Sequence, residues 1–330
     1  MTDEVEVAYR APKLELFMLG ATGWIFRVDE HLALKYAREN DIQQECGMYD
    51  SLEAREHTSP FIMHTFFRQA DAIFMPFMPG GCLHLRLQQN QQLNERGKCV
   101  VVLRTEPKSK VIQWSAEIAS AIAYLETLDL AHGDLRPANI LLDENDHAKL
   151  ADFDCAVKFG TKFEGGGVGM PWAAERRTEE DPLGRNWSIN GACNEQFAFG
   201  SILYTMDRGH EPHEMESEQG PALLERWWNL EYPALTDTAI DAVIKNCWEA
   251  SYKSLHDLEV EMAGMHDGVV GARIERPSGA AFEKQRRYCR EIYQSLHLLE
   301  CCNGTSSNAA QGKRTPPNLC VERHVNPDIA

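Results

Sequence analysis

The chain has 330 residues, of which 43% are hydrophobic, and a net charge of -17. That length and apolar content suffice for one large or two smaller folding units, which excludes disorder of the whole chain. The acidic balance, with a pI near 5.2, argues against nucleic acid or an anionic membrane as default partner, because both repel an acidic surface.

Ten cysteines are scattered without a C-x-x-C pair, so a reducing compartment fits better than a disulfide framework. The opening MTDEVEVAYR is acidic and has no apolar core, so it does not read as a signal peptide. No uninterrupted apolar run is long enough to cross a bilayer. The expectation is a soluble intracellular monomer, cytoplasmic or nuclear.

In chain order, the first elements are β-rich. Leu14 to Leu19 alternates into Gly20-Ala21-Thr22-Gly23, followed by Trp24 to Val28 and by Leu32 to Lys35. These read as three antiparallel strands with a glycine-bearing turn, a geometry that can lay backbone N–H groups over phosphates. Ile42, Cys46, Tyr49 and Leu52 have helical spacing. Phe61–Phe67 and Asp71–Met75 read as two more strands, completing a five-stranded sheet with one helix. Pro76 lacks an N–H and marks where a strand leaves the sheet.

A second, mainly helical region follows. Leu83–Arg96 reads as a polar helix, Cys99–Leu103 is a β-branched run of unassigned place, and Val111–Leu128 is a long apolar-faced helix. The stretch LAHGDLRPANILLDENDHAKLADFD at 130–154 is a loop, a strand, a tight turn and a strand. Pairing of the two strands brings Asn139 near Asp152, so that Asp134, Asn139 and Asp152 converge. Such an oxygen-rich cluster suits Mg²⁺ shared with phosphate. After a glycine-rich irregular stretch to residue 194, helices are predicted from Glu195 and at about 221–229, 236–248, 254–265 and 280–300. The last has Phe282, Tyr288, Ile292, Leu296 and Leu299 on one face. The end of the chain, rich in small and polar residues, reads as a disordered tail.

His132-x-Asp134-x-x-x-x-Asn139 followed by Asp152-Phe153 resembles the catalytic and metal-binding loops of protein kinases. The resemblance covers roughly residues 14–265. It extends to kinase-like proteins of filamentous fungi, in which HGDLRPAN, DFDC and EQF-x-x-GS-x-LY occur together. It implies a bilobal α+β fold, with a small β-rich N-lobe over 14–76 after an extension at 1–13. A larger mainly helical C-lobe would span 77–300, before a tail at 301–330. It implies ATP and Mg²⁺ as cofactors and a protein acceptor. By resemblance, Asp134 handles the hydroxyl proton of the acceptor, and Arg136 faces the transferring phosphate. Asn139 and Asp152 hold Mg²⁺, Lys35 holds the α- and β-phosphates, and Glu45 pairs with Lys35. Gly20 and Gly23 match the second and third glycines of the phosphate loop. Met75 is the gatekeeper, and Pro76 C=O and Met78 N–H face adenine.

The chain departs from that pattern at named places. Met18 stands for the first loop glycine, Gly133 for the arginine before the catalytic aspartate, Asp154 for the glycine of D-F-G, and Glu195 for the usual aspartate at the start of its helix. The A-P-E motif has only Ala173-Ala174-Glu175 as a candidate. The leading expectation is a Ser/Thr-type protein kinase. The alternatives are a small-molecule kinase, an ATPase like the small kinase of the KEOPS tRNA-modifying complex, and a nucleotide-binding pseudokinase scaffold.

Overall fold

The computed structural model describes residues 14–19, 23–37, 42–162, 171–173, 187–216, 221–229, 231–266, 273–302 and 321–322. The first elements are β1 (Leu14–Leu19), β2 (Trp24–Arg27), β3 (Leu32–Tyr36), α1 (Gln43–Glu53), β4 (His57–Thr58), β5 (Phe67–Gln69) and β6 (Ala72–Pro76). Then come α2 (Leu83–Gln88), β7 (Gln91–Leu93), β8 (Cys99–Val102), α3 (Lys108–Thr127), β9 (Leu130–Ala131), β10 (Ile140–Leu142), β11 (Ala148–Leu150) and β12 (Val157–Lys158). The last are α4 (Ala192–Arg208), α5 (Pro221–Trp228), α6 (Ala239–Trp248), α7 (Leu255–Met265), β13 (Ile274–Glu275), α8 (Gly279–Cys302) and β14 (Val321–Glu322). They form two compact units. One joins the segment ending at Ser51, His64–Phe77 and the segment beginning at Arg276; the other joins Leu52–Met63 to Met78–Glu275.

The first unit is a sheet ordered β14-β1-β2-β3-β6-β5. Its pairs are antiparallel except that β14 runs parallel to β1. The five expected strands are present, but the fourth is shorter and later than the apolar pattern suggests. Phe61 and Met63 belong instead to the second unit, where they exchange backbone bonds with Leu150 at 2.7 and 2.8 Å. Alternation in the strands sends Leu32, Leu34, Tyr36, Phe67, Ala72 and Phe74 to one face, where they form an apolar cluster with Leu14, Trp24 and Phe26.

That cluster is closed by α8, through Cys289, Ile292 and Leu296. Residues 276–300, expected with the larger helical lobe, therefore belong to the sheet's unit. The reason is area: burying each large apolar side chain contributes about 1.5–3 kcal/mol, and the sheet face offers the apolar surface that the helix stripe matches. The stripe itself differs from the expected one. Tyr288 is 40% exposed, whereas Cys289 is fully buried, seven residues after Phe282. The side chain of Leu299 lies outside the described residues.

The second unit is mainly helical. Gly200 of α4 lets that helix approach α6, since a Cβ there would lie 2.8 Å from Cys247 Cβ. Trp248 is fully buried and donates to Ser201 Oγ at 2.9 Å. Thr238 caps α6 and Ser254 caps α7, each accepting from the backbone N–H three residues on, at 3.1 Å. The helix expected over Leu83–Arg96 stops at Gln88, because Asn94 and Gly97 make a turn that folds β7 onto β8. Asn94 Oδ1 accepts from the N–H groups of Arg96 and Lys98 at 2.9 and 3.1 Å, and Gly97 has φ +73°. This also places the Cys99–Leu103 run. Among the described residues, no helix is long and apolar enough to cross a membrane.

Candidate functional site

Of the residues singled out by sequence, Lys35 and Glu45 meet in the sheet unit, and Asp134, Arg136 and Asn139 meet in the helical unit. In the sheet unit, Lys35 lies in β3, paired with Ile25 on one side and Ile73 on the other. Alternation points it away from the α8 cluster. It donates to Glu45 Oε2, in the first turn of α1, at 2.7 Å, and the two side chains are 7% and 1% exposed. Losing one partner of so buried a pair would strand the other charge. Gly23 is required at its place, because a Cβ there would lie 2.5 Å from Tyr36 O. Met75 is buried in β6 and Pro76 closes that strand opposite Leu32. Gly20 lies outside the described residues. Met78 begins the long segment of the second unit, and its carbonyl accepts from Gly81 N–H at 3.1 Å.

In the helical unit, α3 and β9 deliver the chain to Asp134. His132, wholly buried, donates from Nε2 to Ala151 O at 3.0 Å, so its Nδ1 accepts from Asp134 N–H at 3.3 Å. Burial holds this imidazole below its ordinary pKa, which keeps it neutral and in that tautomer. Its ring packs on Phe153, centroids 5.2 Å apart. Asn139 Nδ2 donates both to Asp134 O and to Asp134 Oδ2, each at 2.8 Å. The amide oxygen of Asn139 is thus the atom left for another ligand. Arg136 Nε lies 3.2 Å from Asp134 Oδ1, an ion pair without hydrogen-bond alignment, so Oδ1 has no hydrogen-bond partner among the described residues.

Asp152 lies two residues after the end of β11. Ala151 N–H donates to Asn139 O at 2.9 Å, which ties the two segments together, and Asp152 itself has φ +65°. Burial raises the pKa of Asp134. Arg136 and the Asn139 bond oppose that, while the charges of Asp152 and Asp154 add to it. The charges of two neighbouring carboxylates thus act on Asp134, a field that a cation would relieve. Among the described residues, no group of three or more His, Cys, Asp or Glu side chains is arranged to hold a metal by itself. The donor set of Asn139 and Asp152 fits Mg²⁺ only in the manner usual for that ion, with one or two protein ligands and the remainder from water and phosphate.

Two features were not foreseen as parts of the site. Gly133 has φ +77°, and a Cβ on it would lie 2.4 Å from Cys155 O. Its N–H donates at 3.1 Å to Glu195 Oε1, on α4. Glu195 is fully buried, its second oxygen has no hydrogen-bond partner among the described residues, and burial pushes its pKa up to about 7. The motif around Glu195 was visible in the sequence, but nothing local joins it to a glycine 62 residues earlier. Of the candidate Ala173-Ala174-Glu175, only Ala173 is among the described residues, and it is buried.

Residues 31–258 match the family described as protein tyrosine and serine/threonine kinase. The chain is 30% identical over 216 residues to mouse protein kinase C eta type, covering 62% of this chain and 28% of that protein. It is 29% identical over 267 residues to mouse serine/threonine-protein kinase 32C, covering 75% of this chain and 50% of that protein. With the transforming protein mos of Moloney murine sarcoma virus it shares 26% identity over 151 residues, 43% of this chain and 39% of that protein. The matched segments thus span half or less of these curated relatives. The family match takes in Lys35, Glu45, Asp134, Arg136, Asn139 and Asp152. With a β-sheet unit, a helical unit and that match over more than half its length, the chain belongs to the protein tyrosine and serine/threonine kinase family.

Proposed function

We propose that this chain transfers the γ-phosphate of ATP to a serine or threonine hydroxyl of a protein. The observation that carries the reading is the Asp134 cluster, a buried carboxylate held by Asn139 with one oxygen unbonded beside Arg136. That oxygen suits an acceptor hydroxyl, and the elevated pKa moves the group toward useful basicity. Arg136 offers a planar cation for the phosphate in transfer. Asn139 and Asp152 would hold Mg²⁺, which supplies charge neutralisation on the phosphates when bound. Lys35, fixed by Glu45, would take the α- and β-phosphates, with Gly20 and Gly23 offering backbone N–H groups. Met75, Pro76 C=O and Met78 N–H would receive the adenine. The serine/threonine preference is supported by the names of the relatives.

The test is purified chain with labelled ATP and Mg²⁺, with and without a mixture of generic protein acceptors, followed by phosphoamino-acid analysis. Label on serine or threonine of the acceptors is expected, and its loss in Asp134→Asn. ATP turnover with no label on any protein would favour a small-molecule kinase or an ATPase. Nucleotide binding without turnover would favour a scaffold, a reading that draws on Asp154, whose extra carboxylate also acts on Asp134.

A further inference from the structure

The sheet of the first unit is covered on its two faces by two different helices, and β5 touches both. Phe67 of β5 belongs to the apolar cluster closed by α8. Its ring lies 5.9 Å from that of Tyr293 and 5.6 Å from the guanidinium of Arg290. Tyr293 Oη donates to Asp71 Oδ1, in the turn just after β5, at 2.9 Å. The next residue along the strand, Arg68, points the other way. Its Nη2 lies 2.5 Å from Asp50 Oδ1 of α1, and its guanidinium sits 5.7 Å from the Tyr49 ring centroid. Gln69 O accepts from Cys46 Sγ at 3.5 Å. Cys46 is the residue after Glu45, which holds Lys35.

We propose that α8 is a positioning element for the Lys35–Glu45 pair. Seated on the sheet, it fixes β5, and β5 holds α1 through Arg68 and Gln69 so that Glu45 stays on Lys35. The strand needs such help. It is three residues long and, among the described residues, stands at the sheet edge and pairs only with β6, so side-chain packing rather than its ladder sets its position. The Arg68–Asp50 contact has an Asp50 side chain 72% exposed, and a pair of that kind contributes little unless its arginine is held in place. Thr65, which accepts from Arg68, and the Tyr49 ring complete that hold. The consequence for turnover rests on the phosphotransferase reading; the consequence for α1 does not.

The full chain is compared with Tyr293→Phe and Arg68→Ala, both mild enough to leave the apolar cluster in place. Amide hydrogen exchange is measured over α1, with α6 of the other unit as the internal reference. Exchange in α1 should rise about fivefold or more in each variant, the factor that follows from one lost hydrogen bond, while α6 stays unchanged. The same two changes should raise the KM for ATP several-fold in the wild-type background. They should add nothing in a Glu45→Gln background, where the pair is already lost. Unchanged α1 exchange overturns the proposal, and so does an equal effect on KM in both backgrounds, which would make α8 a general scaffold. If the wild-type chain turns over no ATP, the phosphotransferase reading falls, and the exchange measurement alone decides this inference.

Discussion

Glu195→Gln should make the protein more stable, by an amount that grows from about pH 4.5 and levels off above about pH 7. Glu195 is fully buried on α4, and its pKa is raised from the ordinary 4.5 to about 7. Burial is the main cause, the charge of Asp134 adds to it, and the N–H groups of Gly133 and His132 offset part. The folded state therefore holds this proton more tightly than the unfolded chain does. Below pH 4.5 both states are protonated and the contribution is fully present. Between there and about pH 7 the unfolded carboxyl ionises first, and stability is lost as pH rises. At 1.36 kcal/mol per pKa unit the loss levels off above pH 7 at roughly 3 kcal/mol, an upper figure for a buried group. Glutamine keeps an acceptor for Gly133 N–H and has nothing to ionise. The assay is thermal unfolding of both proteins from pH 5 to 8.5. The difference in Tm should be about a quarter of its final size at pH 5 and open to several degrees by pH 8, at roughly 2–4 °C per kcal/mol for a unit of this size. A Tm difference that does not change with pH would refute the reasoning. It would mean that the Gly133 and His132 donors carry the charge without cost.

Four further outcomes are expected. Asp134→Asn should lower turnover by roughly 10²–10⁴-fold while ATP affinity stays within a few-fold, since the group acts on the acceptor; equal loss of ATP binding would make Asp134 structural. Mg²⁺ with ATP should raise the Tm by mass action, and Asp152→Asn should remove most of the Mg²⁺-dependent part, so an unchanged shift in calorimetry removes Asp152 from the metal set. Gly133→Ala should cost more stability than Gly160→Ala, because both glycines have positive φ but only Gly133 has a backbone oxygen at the Cβ position. The left-handed backbone accounts for about 1 kcal/mol in each, and urea midpoints should show an excess at 133. Phosphatase treatment should leave ATP turnover unchanged, because Gly133 brings no cation to a phosphate and the Thr161 hydroxyl is already bonded to Lys158 O and Asn190 Nδ2. A tenfold loss restored by rephosphorylation of Thr161 or Thr178 would contradict this; Thr178 lies outside the described residues.

The Asp134 cluster was legible because its parts are local. A tight turn at Asp143–Asp146 and two short alternating strands return the chain on itself within a dozen residues, and the periodicity states as much. The Lys35–Glu45 pair was legible only by resemblance, since a helical glutamate beside other carboxylates has no local mark. The hairpin of β7 and β8 was missed because a glutamine-rich stretch with four leucines satisfies a helical pattern until Asn94 and Gly97 are given their turn. The seat of α8 was not legible at all. An amphipathic stripe declares that a helix is covered on one side and says nothing of what covers it. The partner of Ile292 and Leu296 here lies at the opposite end of the chain, in residues 14–74. The expected apolar role of Tyr288 failed for a related reason: a stripe read one residue out of phase still counts as helical.

The discontinuous make-up of the sheet unit has a consequence for biosynthesis. All but one of its strands are made before residue 77, yet the helix that closes its apolar face comes after residue 278. At about 5–20 residues per second, the ribosome needs roughly 10–40 s to make the segment between them. During that interval Trp24, Phe26, Phe67 and Phe74 have no cover from α8, while the intervening helical unit can assemble from contacts of shorter sequence separation. The order of maturation is therefore the reverse of the order of synthesis. The first-made strands are completed last, and in the meantime they are the part of the nascent chain that most needs a chaperone.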